Sequence, residues 1–163
     1  QIFSEKFNIG FEILSTYQSN DLNFQDEIKY YKKLILGKRW KLIPSKKNNK
    51  FYNNYFIIDS YEIIVTSFST LGFEALARKK KVAFFSQPNF FSLKDRNFGW
   101  PYTLPKKGKF YSDRKNYLEV SRILKYLLKI KKSEWIKETY NYKKYLVSTS
   151  FKNKKLFEIL NKN

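Results

Sequence analysis

Between Thr66 and Glu74 the run TSFSTLGFE places four hydroxyls, a glycine and a carboxylate within nine residues. The spacing predicts that a strand ends at Thr66 and a helix starts near Leu71. A helix N-terminus presents unpaired N–H groups and about half a positive charge, and Ser67, Ser69 and Thr70 add hydroxyl donors. Such a corner can hold a phosphate or diphosphate. The plainer reading of the same hydroxyls is an ordinary N-cap by Ser69 or Thr70.

Two further residues bear on that choice. Gly72 falls inside the first turn, where glycine costs about 1 kcal/mol of helix propensity. Either a ligand approaching the backbone or tight packing on a neighbouring strand explains it. Glu74 lies four residues after Thr70 and five after Ser69, whereas a capping box needs three. It is therefore out of register for capping, and from the first two turns it could accept hydrogen bonds from a ribose or sugar hydroxyl pair. Lys79, Lys80 and Lys81 stand at the far end of the same helix. There they complement the helix C-terminus and form a turn, away from the phosphate corner.

The elements that position these residues follow from periodicity. Tyr61 to Thr66 and Lys81 to Ser86 are short apolar runs of the kind found in strands covered on both faces. A short helix between them makes a compact βαβ unit, and hence an α/β fold with a Rossmann-like parallel sheet flanked by helices. Ligands of such sheets sit at the carboxyl ends of strands, which is where Ser67 to Thr70 fall. Upstream, Phe24 to Leu36 sets Phe24, Ile28, Tyr31 and Ile35 at helical spacing, with Asp26 and Glu27 in the first turn and Gly37 closing the helix. A strand around Trp40 to Pro44 and a helix over Phe51 to Ile57 follow. After Ser86 a loop of about twenty-five residues, long for a compact domain, carries Arg96, Asn97 and Trp100 as further candidate contacts. From residue 112 the chain reads as a helical tail packing on the sheet, with Leu118, Ile123, Leu127 and Ile130 on one side and Ser133 as a capping residue.

Composition removes several chemistries. The 163 residues contain no Cys and no His, so any acid or base is Asp, Glu, Lys or Tyr. No Asp-x-Asp metal pair occurs. The hydrophobic share of 42% supports a buried core. No apolar run approaches the ~18 residues that span a bilayer, and the opening residues QIFSEKFNIG lack the basic flank and apolar segment of a secretory signal. There is also no Met, so the sequence is expected to be part of a longer protein. The formal net charge of +19 invites a nucleic-acid reading, but the cations are 28 Lys against 5 Arg. Base-edge readers lean on arginine forks. Most of the charge is therefore expected to be solvated surface, with some left to favour an anionic membrane face or a phosphate-bearing ligand.

The run IIVTSFSTLGFEALARKKKVAFFS, with NFGWP at Asn97 to Pro101 and KKGKFY at Lys106 to Tyr111, resembles a family of bacterial surface-carbohydrate biosynthesis transferases. It resembles more broadly the C-terminal, donor-binding half of GT-B-type glycosyltransferases. The likeness spans about residues 38–140. It implies one C-terminal nucleotide-sugar-binding domain over residues 1–163. In it Ser67, Ser69, Thr70 and Gly72 line the donor phosphates, Glu74 holds the ribose or sugar, and Arg96, Asn97 and Trp100 contact ligand from the loop. Lys79 stands where the family usually has glycine, and Phe73 where it has tyrosine.

The resemblance further implies metal-independent transfer with no resident cofactor, the helix dipole and cations stabilising the leaving phosphate. The acceptor, a glycan or lipid-linked glycan, and the catalytic base would come with an N-terminal half of the same enzyme, so that this segment alone binds donor without turnover. The expected location is cytoplasmic, peripheral at the inner membrane. Two alternatives stand beside it. One is a basic, aromatic-rich module that stacks single-stranded nucleic acid. The other is a nucleotide-sugar epimerase or hydrolase on the same scaffold.

Overall fold

The computed structural model describes residues 1–45, 53–67, 69–85, 107–114, 116–140 and 142. The chain divides into two compact units, Gln1–Ile57 and Ile58–Asn163. Each is α/β, with a small parallel sheet flanked by helices. No helix among the described residues is long and apolar enough to cross a membrane.

In the first unit, helix α1 (Ile2–Phe7) precedes strand β1 (Phe11–Leu14), helix α2 (Leu22–Leu34) and strand β2 (Trp40–Ile43). β1 and β2 pair in parallel, from Phe11 opposite Trp40 to Leu14 opposite Ile43. α2 begins two residues earlier than its sequence period predicts. The reason is Asp21, whose carboxylate accepts the Asn23 N–H at 2.9 Å and caps the helix. Asp26 and Glu27 thus fall in the second turn. The helix also stops short of Gly37, because Ile35 turns extended. Its inner face is the expected one, with Phe24 buried and Ile28 and Tyr31 half-buried.

Helix α3 (Asn53–Ser60) leads across the boundary between the units and ends three residues beyond the expected Ile57. In the second unit, strand β3 (Ile63–Thr66), helix α4 (Thr70–Ala77) and strand β4 (Lys81–Phe85) form the anticipated βαβ step. Strand β5 (Tyr111–Ser112) adds to the other side of β4, giving the parallel order β3-β4-β5. β4 is central and covered on both faces, with Val82, Ala83 and Phe84 all buried. β3 is not. Thr66 points at α4, so by strand alternation Val65 points to the opposite face, where it is 57% exposed.

Helices α5 (Tyr117–Lys129) and α6 (Lys132–Tyr140) complete this unit. Ile123, Leu127 and Trp135 are fully buried beside Phe84 and Phe110. Leu118 lies outside that core at 77% exposure. It shares a helical stripe with the exposed Arg122, Lys125 and Lys129 instead. Ser133 does not cap α6 either. The helix starts at Lys132, and the Glu134 carboxylate reaches back to accept the Lys131 N–H at 3.4 Å, which is one half of a capping box.

Candidate functional site

The corner between β3 and α4 is built by local hydrogen bonding. Ser69 has extended backbone and is the N-cap of α4, its hydroxyl accepting the Leu71 N–H at 3.2 Å. The Gly72 N–H is taken by the Ser69 carbonyl at 3.0 Å. Capping therefore uses the acceptor side of the Ser69 hydroxyl and leaves its proton to donate outward. Ser69 and Thr70 are both exposed at this end. Glu74, half-buried, lies one turn behind Thr70 on the same side of the helix.

Ser67 is differently engaged. Its hydroxyl donates to the Phe85 carbonyl at 2.7 Å and ties the carboxyl ends of β3 and β4 together. Gly72 is buried, and a Cβ there would lie 3.0 Å from Thr66 Cβ and closer still to its methyl. Of the two explanations open for this glycine, packing against the end of β3 is the one with visible atoms behind it. The helix sits on the strand at a distance that only a glycine allows.

At the other end of α4 the lysines form a turn, as expected. Lys79 adopts φ 66°, the left-handed conformation that glycine takes most easily. The Lys79 N–H bonds the Leu76 carbonyl at 2.9 Å and the Lys80 N–H bonds Ala75 at 3.0 Å. These are the paired bonds of a Schellman ending. The basic side chains also have partners. Arg78 forms an ion pair with Asp59, Lys80 Nζ donates to the Asp59 carbonyl at 3.0 Å, and Lys81 pairs with Glu62 at 2.9 Å.

The structure also shows what sequence reasoning missed. Trp135, fully buried on α6, donates its indole N–H to the Lys80 carbonyl at 2.8 Å. Its ring meets Phe110 edge-on at 5.1 Å. The tail is thereby pinned to the turn that leads into β4. The apolar pair Trp135 and Ile136 marks a side chain that a core could take up, and it names no partner. In the first unit, Ser15 is buried at the carboxyl end of β1, accepts the Tyr17 N–H at 2.9 Å and donates to the Glu27 carboxylate. No pattern in the sequence marks that pair.

Burial raises the Tyr31 phenol in the first unit, and the other ionisable groups with displaced proton affinity lie toward β5, α5 and α6. A hydrogen bond from Arg122 holds Glu119 below the ordinary glutamate range, and a hydrogen bond to Glu138 raises Lys109. Burial raises the phenols of Tyr111, Tyr126 and Tyr142. Of the sequence-predicted site, Ser67, Ser69, Thr70, Gly72 and Glu74 thus share the β3–α4 corner. Arg96, Asn97 and Trp100 lie outside the described residues.

A family model described as "putative O-antigen biosynthesis protein" matches residues 3–163. No curated protein and no solved structure matches the chain.

Proposed function

We propose, from the premise that the chain belongs to this O-antigen biosynthesis family, that it binds a nucleotide-sugar donor and serves a metal-independent glycosyltransferase of the GT-B type. The observation that carries the reading is the exposed N-terminal turn of α4 at the carboxyl end of a parallel strand, with Ser69 and Thr70 outward and Glu74 one turn behind. In this reading the Thr70 N–H, the Ser69 and Thr70 hydroxyls and the helix dipole hold the donor phosphates. Glu74 accepts hydrogen bonds from ribose or sugar hydroxyls. Gly72 and Ser67 act on the corner's shape, the first by bringing α4 onto β3 and the second by locking the strand ends.

Loss of the nucleoside diphosphate or monophosphate would be assisted by that N-terminus in place of a metal ion. No resident cofactor takes part, and the nucleotide sugar is the substrate. The acceptor and catalytic base belong to the remainder of the enzyme, an N-terminal half in the GT-B arrangement.

The test is thermal protection of the full-length protein by a panel of nucleotides that includes CMP and UDP. One of them is expected to raise the melting temperature, and Glu74→Ala is expected to abolish the rise while leaving the unliganded melting temperature within about 2 °C. Equal protection of the mutant would remove Glu74 from the site, and protection by none of the panel would remove the donor-binding reading. Incubating enzyme and donor without acceptor separates transfer from epimerisation or hydrolysis.

A further inference from the structure

The outward face of α2 combines two properties that ordinary solvated helices keep apart. Leu22 is 84% exposed, Leu34 57% and Leu36, just past the helix end, 85%, with Tyr30 at 59%. Tyr30 and Leu34 are four residues apart and lie side by side on the helix. Interleaved with them are the exposed Lys29, Lys32 and Lys33, followed by Lys38. Between Leu22 and Lys41 six cations face two carboxylates. Both carboxylates are engaged. Asp26 pairs with Lys29 at 3.1 Å, and Glu27 turns inward to the Ser15 hydroxyl. The inner face of the helix is used by the first unit itself, through Phe24, Ile28 and Tyr31, so the outer apolar side chains have no part in that core.

We propose that this face of α2, with Leu36 and Lys38 beyond it, docks on an anionic lipid bilayer. Apolar side chains that enter the headgroup boundary, flanked by lysines whose stems can lie along it while their ammonium groups stay with the phosphates, are the chemistry that an interfacial helix presents. A protein partner fits less well, since lysine is depleted where protein interfaces are desolvated. Nucleic acid fits less well too, because leucine offers no stacking surface and Tyr30 is the one exposed aromatic on the helix. The proposal does not depend on donor binding at α4.

The experiment is co-sedimentation of the full chain with vesicles of phosphatidylcholine alone, or of phosphatidylcholine with about 30% phosphatidylglycerol. Binding is expected only to the anionic vesicles and is expected to fall steeply between ~0.05 and ~0.3 M salt. Lys32→Glu/Lys33→Glu is expected to weaken it by about tenfold or more, and Leu34→Asn/Leu36→Asn by several-fold with the salt dependence kept. Lys125→Glu/Lys129→Glu, on α5, removes the same number of cations and is expected to change it less than about twofold. Should a charge-reversed variant fail to fold by circular dichroism, Lys32→Gln/Lys33→Gln carries the test. Equal binding by the α2 variants and the parent, or equal loss in the α5 control, overturns the proposal. So does a concentration-dependent dimer that the leucine variant dissociates, since a second copy would then cover the face. Nucleotide protection measured on the same samples reports on the α4 corner separately.

Discussion

At the level of single residues, the contact between Gly72 and Thr66 makes a sharp prediction. An added Cβ cannot be accommodated without moving the start of α4 or the end of β3, so Gly72→Ala is expected to destabilise the protein by about 1–3 kcal/mol. Thr66→Ser removes the methyl that the new Cβ would strike, and the double mutant is expected to recover part of that loss in urea denaturation. Unchanged stability in Gly72→Ala would mean that the Thr66 side chain gives way without cost and that packing does not require the glycine. Lys79 carries the opposite prediction. A β-carbon at φ 66° is strained, and glycine is the residue that Schellman endings prefer, so Lys79→Gly is expected to stabilise by about 0.5–1 kcal/mol in the same assay. The hydroxyl-rich turn was legible because capping is local and Ser69 does cap. The partner of Ser67 was not, because the Phe85 carbonyl is eighteen residues away and only the strand pairing brings it near. Gly72 was legible to within two explanations, and its contact with the β3 side chain decides which has atoms to support it.

At the level of elements, the βαβ step from β3 to β4 could be read from two apolar runs and the helix between them. β1 was missed, since four residues with one exposed glutamate give little period to detect. Helix ends moved by two or three residues for physical reasons: the Asp21 cap lies ahead of the apolar period, and Ile35 leaves the helix before Gly37. The exposure of Leu118 shows the limit of apolar counting on a helix that also carries a stripe of cations. Trp135 is the fully buried side chain that attaches α6, beside the surface pair of Glu138 with Lys109. Trp135→Phe leaves the Lys80 carbonyl without its donor and the core short of a ring, and is expected to cost about 2–4 kcal/mol in chemical denaturation. A loss below about 0.5 kcal/mol would show that α6 adds little to the unit it joins.

For the whole molecule the dominant fact is charge. With 33 cations against 14 carboxylates, like-charge repulsion is set against exposed ion pairs such as Lys29 with Asp26, whose individual worth is small. Screening should therefore help. Raising NaCl from ~0.02 to ~0.3 M is expected to increase the melting temperature by a few degrees, and a decrease would mean that the ion pairs at Asp59, Glu62 and Glu138 dominate instead. Composition foretold the basic surface but not where it meets exposed leucine, because that depends on which side of α2 the sheet occupies.

The indole bond from Trp135 to the Lys80 carbonyl joins residues 55 apart in sequence. Synthesis proceeds from the N-terminus, and long-range contacts form late. β4 can pair with β3 as soon as it is made, but the turn before it keeps an unanswered carbonyl, and the core keeps a gap beside Phe110, until residue 135 has left the ribosome. The second unit therefore closes its core only when its last described helix arrives, because the Trp135 ring and its indole N–H both come from α6.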